Sequence, residues 1–260
     1  RPKAKGLAVI GFKDLDDAIA MVRPILTTGP SAVEMLDDMI LGLQASDLII
    51  LAARPSMGKT AMMLQMRRHA AKLGKRPLTI SMEMTAEQVY MRDIAAIGSV
   101  NYKLVQNPTL ADESDMARIQ HAFVEMEPWQ WWLDDTSSMT VGQICSRIRR
   151  AKKDHDIGIA FIDYLQFIDL GEVRNGIPAA LQNVTRMLKA LAKELRIPIV
   201  LLSQLNRGLE SRTNKRPMMS DLRESGAIEQ DADVVLFLHR EGYYNKDWPS
   251  SDPRNSVGEV

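Results

Sequence analysis

The sequence predicts an α/β protein with a mostly parallel central sheet and helices on both faces. Three observations point there. Short apolar runs recur between residues 48 and 239, and they are continuous rather than alternating, as strands covered on both faces require. Between them lie segments with apolar residues at i, i+3, i+4 and i+7, the spacing of one buried helical face. The two kinds of segment alternate along the chain, which suits strands joined by helical crossovers.

Length and composition agree with this class. The chain has 260 residues, enough for one large domain with a short appendage, and its 45% apolar and 25% charged fractions are ordinary for a globular protein. No run reaches the roughly 18 to 20 apolar residues that a membrane span needs. No secretory leader pattern opens the sequence, and the single Cys145 excludes an internal disulfide framework and fits a reducing cytosol. A cytoplasmic protein with no membrane partner is therefore expected. Four scattered histidines and one cysteine give no zinc-ligand spacing. Thirty-three basic residues balance thirty-three acidic ones, so a non-specific DNA coat is disfavoured. Any contact with nucleic acid must be local, or shared among subunits.

Taken in order, residues 1 to about 45 carry two loosely similar stretches, Gly11–Ile19 and Glu34–Leu43, too short to establish a repeat. Asp14 or Asp16 can cap a short helix running towards Val22, which Pro24 would end. The predicted strands are Leu48–Ala53, Leu78–Met82, Ile157–Asp163, Ile197–Ser203 and Val234–His239, with Trp131–Leu133 a weaker sixth. Val141, Ile144, Cys145, Ile148 and Ala151 mark one helix; Arg147, Arg149, Arg150, Lys152 and Lys153 fall mostly opposite, as a solvated face in preference to a DNA contact. Leu181, Val184, Leu188, Leu191 and Leu195 mark a second. Asn206–Ser220 lacks a period, carries Arg207, Arg212, Lys215 and Arg216, and reads as an exposed basic loop.

The sharpest chemical signal is Ala53-Arg54-Pro55-Ser56-Met57-Gly58-Lys59-Thr60, between an apolar strand and a helical segment. That is the context of a phosphate-binding loop. Successive backbone N–H groups curl around phosphate oxygens, assisted by the positive end of the following helix. Gly58 allows the close turn, Lys59 reaches the β- and γ-phosphates, and the Thr60 hydroxyl ligates Mg²⁺. Ala53 stands where a glycine is usual, and its small side chain still lets the loop close. The competing reading is a surface turn that happens to contain Gly-Lys-Thr.

Two carboxylates belong beside that loop. Asp163 ends an apolar strand, so it emerges at the carboxyl edge of the sheet and can hold Mg²⁺ through water; otherwise it caps the next turn. Glu83 ends the run Leu78–Met82 at the same edge and can orient or deprotonate an attacking water; otherwise it caps the segment starting at Thr85. Gln204 follows the Ile197–Ser203 strand and can sense a γ-phosphate by hydrogen bonding, a role the residues alone leave open.

Together these residues resemble the replicative hexameric helicases of the bacterial DnaB type, within the RecA-like P-loop NTPases. The matching strings are ARPSMGKT (53–60), ISMEMTAEQVYMR (80–92), FIDYLQ (161–166), LLSQLNR (201–207) and RPMMSDLRESGAIEQDADVVLFLHR (216–240). The last is the most discriminating, because a generic phosphate-loop ATPase has no reason to carry DLRESGAIEQDAD. The match runs from about residue 28 to residue 260.

The resemblance implies an ATP- and Mg²⁺-dependent DNA helicase core that translocates on single-stranded DNA and unwinds duplex at the replication fork. It implies Lys59 and Thr60 on the phosphates and metal, Glu83 as catalytic base, Asp163 supporting the metal, and Arg92 near the nucleotide. Gln204 would couple nucleotide state to the DNA-binding loops, and Arg223, Glu224 and Gly226 would touch the single-strand backbone. The residues themselves support that loop only in part: Arg223 and N–H groups near Gly226 suit a phosphate, whereas Glu224 repels one unless its own N–H makes the contact. Without the resemblance, Ser220–Asp233 reads as a capped helix start. The family works as a homo-hexamer, with primase and a helicase loader as expected partners. Residues 1–27 would be a linker or a divergent segment. Residues 28–260 would be the RecA-like core, truncated at its C-terminal end, since the family's inserted basic finger belongs to a strand beyond Val260 and its primase-binding helical domain precedes the core. Two rival functions share the loop and sheet: a RecA-like recombinase or regulatory DNA-dependent ATPase that does not unwind, and an ATP-binding replication scaffold that does not hydrolyse.

Overall fold

A computed structural model describes residues 42–171, 176–222 and 225–244, together with Leu36, Asp37 and Ile40. The expected helix towards Val22, the stretch Gly11–Ile19, the segment 1–27, Arg223 and Glu224 lie outside these residues.

Six strands form one sheet: β1 (Leu48–Ala53), β2 (Pro77–Ser81), β3 (Trp132–Asp134), β5 (Ile159–Asp163), β7 (Ile199–Gln204) and β8 (Val234–Leu238), in the spatial order β3-β2-β5-β7-β1-β8. Every pairing in it is parallel. All six apolar runs are therefore strands, including the weak candidate at Trp131–Leu133. Two predicted starts are early by two residues: Ile157 and Ile197 are buried in the core, but the ladders begin only at Ile159 and Ile199. A separate pair, β4 (Met139–Thr140) and β6 (Ile168–Asp169), is two residues long on each side and gave no signal in the sequence.

The sheet is filled from both faces. Along β1, Leu48, Ile50 and Ala52 face one core cluster and Ile49, Leu51 and Ala53 the other, the two-residue alternation of a strand buried on both sides. The first cluster takes Ile144, Cys145 and Ile148 from α5 (Val141–His155), Leu181, Val184, Leu188 and Leu191 from α6 (Ile177–Leu195), and Ile228 from α7 (Ser225–Asp231). The second takes Met62, Met63, Leu64, Met66 and Ala70 from α1 (Lys59–Lys72).

A third, smaller core joins α2 (Ala86–Ile97) to α4 (Glu113–Met126) through Ile94, Val100, Ile119, Ala122 and Met126, with the short α3 (Tyr102–Gln106) between them. The chain ends its described course in α8 (Glu241–Tyr244). Among the described residues no helix is long and apolar enough to cross a membrane.

Four of the five arginines and lysines of α5 have acidic partners. Arg147 pairs with Asp134, Arg149 reaches Glu194 at 2.7 and 2.6 Å, Arg150 reaches Asp154 at 3.4 Å, and Lys152 reaches Asp156 at 2.7 Å. This is a solvated helix face. The stretch Asn206–Ser220 is more ordered than an exposed loop: 3₁₀ turns form at Arg207–Ser211 and Met219–Asp221, Leu209 is buried, and Arg212 donates to Asp221 Oδ2 at 2.6 Å.

Candidate functional site

The residues between β1 and α1 form a tight loop at the carboxyl edge of the sheet. The turn needs two left-handed residues, Ser56 at φ 65° and Gly58 at φ 93°, and a residue with a β-carbon is strained at the second. The Met57 N–H donates to the Arg54 carbonyl at 3.3 Å and closes the turn. No side chain caps the first turn of α1, whose opening N–H groups have no partner within the helix itself. Positive partial charge therefore collects where the loop opens.

Strand register brings the other groups to the loop. Ala53 lies opposite Gln204, and Ser81 lies opposite Asp163. Glu83 stands two residues past Ser81, and the Met82 N–H donates to the Asp163 carbonyl at 2.9 Å. The result is an open cleft of about 500 Å³ lined by Ala53, Arg54, Pro55, Ser56, Gly58, Lys59, Thr60, Ala61, Glu83, Arg92, Tyr164 and Gln204. Glu83 and Arg92 are solvent-exposed, whereas Asp163 is fully buried behind Thr60 and Lys59.

Within the cleft, the Thr60 hydroxyl donates to Asp163 Oδ2 at 3.0 Å, and Lys59 Nζ lies 4.0 Å from Asp163 Oδ1. The Lys59 ammonium also sits 3.9 Å from the centroid of the Tyr164 ring. Burial pushes the Lys59 pKa down, while Asp163 and then Glu83 oppose that shift. Burial pushes the Asp163 carboxyl up, against the pull of Lys59 and the Thr60 hydrogen bond; Glu83 adds to the rise. The Tyr164 phenol is raised by burial and by the same two carboxylates.

The group fits a divalent cation and a polyphosphate. Asp163 Oδ1 is buried without a hydrogen-bond partner, beside a hydroxyl and a second carboxylate oxygen, and Mg²⁺ and the waters it keeps favour such oxygen donors. The uncapped start of α1 and the Lys59 ammonium suit phosphate oxygens.

Several sequence readings resolve here. Glu83 does not cap α2: Thr85 is its N-cap, in a reciprocal capping box with Gln88, and Asp135 Oδ2 accepts from the Ala86 N–H at 2.9 Å. Gln204 faces the cleft while its main chain is clamped by Gln166, which donates to the Gln204 carbonyl and accepts from the Gln204 N–H at 3.3 and 3.1 Å. Two loop residues do not offer their side chains to the opening. Met57 is buried in the core, and Arg54 directs its guanidinium to the Leu205 carbonyl and to Glu210.

Gly226 lies apart from the cleft, exposed in the first turn of α7. A single antiparallel bridge between Leu205 and Leu222 nevertheless brings the chain just before α7 beside the end of β7. Tyr164 and Gln166 were missed as site residues. Both sit inside FIDYLQ, where an aromatic and an amide immediately beyond a strand-ending carboxylate are a usable signal.

The family model described as DnaB-like helicase C terminal domain matches residues 29–258. The replicative DNA helicase DnaB of Geobacillus stearothermophilus is 43% identical over 224 residues, 85% of this chain and 49% of that protein. The replicative DNA helicase DnaC of Bacillus subtilis (strain 168) is 42% identical over the same shares. This chain thus spans about half the length of the curated relatives it matches. Among solved structures, one described as an ATPase domain superposes with a TM-score of 0.80 at 35% identity, covering 86% of this chain and 80% of that one. A DnaB-like replicative helicase, described with its interactions with primase, superposes with a TM-score of 0.82 at 33% identity, covering 92% of this chain and 59% of that one. The fold is that of the RecA-like helicase ATPase domains, and the chain belongs to the DnaB-like helicase C-terminal domain family.

Proposed function

We propose that this chain is the ATP-hydrolysing motor core of a replicative DNA helicase, translocating along single-stranded DNA and unwinding duplex. The observation that carries the reading is the convergence of Lys59, Thr60, Glu83 and Asp163, from three separate parts of the chain, on one cleft. Lys59 holds the β- and γ-phosphates and the loop N–H groups bind their oxygens. Thr60 and Asp163 hold Mg²⁺, which neutralises charge on the phosphates when bound. Glu83 orients the attacking water and takes its proton. Arg92, on the same wall, contributes positive charge beside the nucleotide. Gln204 reads the terminal phosphate and, through Leu205 and its bridge to Leu222, passes nucleotide state to the loop carrying Arg223, Glu224 and Gly226.

That loop contacts the strand backbone, which implies little sequence preference. A homo-hexameric ring around the strand lets a few contacts per subunit suffice, and so reconciles a charge-balanced chain with a polyanionic track. On this reading residues 28–260 are the motor core and residues 1–27 a linker or a divergent segment. Primase is a partner by analogy with the DnaB-like helicase described with it, and a loader and a cytoplasmic setting follow from the same reading.

Strand displacement by the full-length protein tests the proposal. Lys59→Ala and Glu83→Gln each abolish unwinding, and only Lys59→Ala weakens nucleotide binding as well. Wild-type unwinding in either variant refutes the assignment. Arg223→Ala weakens single-strand binding with nucleotide binding intact; equal loss of both indicates misfolding instead.

A further inference from the structure

Arg54 belongs to the phosphate loop, yet its side chain serves a different segment. Nη1 donates to the Leu205 carbonyl at 2.8 Å, Nε donates to Glu210 Oε1 at 2.9 Å, and Nη2 lies 2.8 Å from the same oxygen. The residue is 7% exposed, so one guanidinium fork bridges two acceptors in a mostly dry setting. Its main chain forms a corner of the loop through the bond from the Met57 N–H. A shift of that corner therefore moves both acceptors, because the planar fork has little freedom to absorb it.

The acceptors lead onward. Leu205 donates its N–H to the Ala53 carbonyl at 3.0 Å and pairs with Leu222, and the Asn206 N–H donates to the Asp221 carbonyl at 2.9 Å. Glu210 lies in the 3₁₀ turn Arg207–Ser211, and the next residue after that turn, Arg212, donates to Asp221 Oδ2. A continuous set of hydrogen bonds thus runs from the phosphate loop to Leu222. Within it, Glu210 is the exposed member, its side chain 45% accessible, and water can replace it at small cost.

We propose that the Arg54–Glu210 ion pair couples occupancy of the phosphate loop to the position of segment 205–222, with Glu210 acting as a positioning residue through Arg54. Its consequence for the polynucleotide rests on the function proposed above; the coupling to segment 205–222 does not. Glu210 touches neither the cleft nor the reacting groups, so its loss leaves nucleotide affinity and basal hydrolysis in place. What it weakens is the correlation between the two segments, which the Leu205 bonds to Arg54 and Ala53 still carry in part.

The test compares wild-type full-length protein with Glu210→Ala and Glu210→Gln. Amide hydrogen exchange across 205–222 is followed with and without a non-hydrolysable ATP analogue and Mg²⁺, and ATPase rates are measured with and without single-stranded DNA. In the wild type the analogue changes exchange in 205–222. Glu210→Ala shows a reduced response at unchanged analogue affinity, and its DNA stimulation of ATPase falls by about fivefold or more. Glu210→Gln, which keeps an acceptor for Nε, lies between.

A wild type whose exchange in 205–222 ignores the analogue overturns the proposal. So does a Glu210→Ala variant with a wild-type response, or one in which basal and stimulated rates fall in equal proportion, since that marks a merely structural role. If the exchange response is reduced as expected but the wild-type ATPase is indifferent to DNA, the coupling stands and the helicase reading fails.

Discussion

Thr60 Oγ1 donates to Asp163 Oδ2 at 3.0 Å, joining the first turn of α1 to the last residue of β5. The contact places a hydroxyl and a carboxylate on the same point from elements 103 residues apart in the chain, and only the parallel sheet brings them together. It also means that the carboxylate is held in position while its second oxygen, Oδ1, is buried without a hydrogen-bond donor.

Asp163→Asn tests that arrangement. Burial raises the Asp163 pKa against the pull of Lys59 and Thr60, so a neutral isostere relieves a desolvation cost while Lys59 loses its nearest counter-ion. The two effects oppose, so the melting temperature without nucleotide is expected to change little, while ATPase falls by about 10²-fold or more. Calorimetry and a steady-state assay on the same preparation check both halves. A large fall in melting temperature would show that the carboxylate supports the fold rather than the chemistry.

Much of this site was legible because its parts are local in sequence. The loop 53–60 is contiguous, and strand-ending carboxylates can be placed at a sheet edge without knowing strand order. Apolar runs report burial rather than ladder pairing, which explains the two early strand starts. Ile157 packs in the core but precedes Gly158, whose N–H bonds to the Lys75 carbonyl outside the sheet ladder. Ile197 donates instead to the Ala192 carbonyl at the end of α6.

What stayed hidden depends on distant partners. Nothing local to Arg54 announces Glu210, 156 residues away, and nothing local to Gln204 announces its clamp by Gln166. The two-residue strands β4 and β6 are too short to carry any period.

Gly58→Ala separates backbone strain from crowding. The position has φ 93°, and a β-carbon there meets no atom of the protein within 4 Å. The cost to the fold is therefore conformational, about 1–2 kcal/mol. The same β-carbon stands at the mouth of the loop, where a phosphate must come close, so nucleotide affinity is expected to fall at least about tenfold. Chemical denaturation and equilibrium titration of a nucleotide measure the two effects. Unaltered affinity would mean that phosphate does not bind against Gly58.

Asp93→Ala probes the joint between α1 and α2. Asp93 is fully buried and accepts from Arg67 and, at 2.9 Å, from Arg68. Burial pulls the two guanidinium groups down to about 9 and about 10, so both remain charged at neutral pH. Removing their shared counter-ion leaves uncompensated charge in the interior, a loss of about 3–5 kcal/mol. Because α2 also carries Arg92, hydrolysis is expected to decline with stability in this variant. Urea denaturation decides the point; a loss under about 1 kcal/mol would mean water reaches the arginines.

Acid should weaken the fold through two histidines before most carboxylates titrate. Burial holds His69 below its ordinary pKa, with Lys72 adding to the shift, and its Nε2 is buried without a partner. Burial and Arg216 likewise hold His239 low, against Glu241, where it stacks on Tyr244 at 5.7 Å. Each group binds its proton more readily when unfolded than when folded. Its stabilising contribution is therefore complete above the ordinary histidine value of 6.5 and is lost as pH falls from there through the depressed folded value. Asp47 and Asp163, both raised, act with the opposite sign, so the histidine part is isolated by difference. Unfolding free energies of wild type and a His69→Gln, His239→Gln double variant, compared at about pH 7.5 and about pH 5.5, should converge towards acid. A gap that is constant across that interval would show that neither imidazole changes its proton affinity on folding.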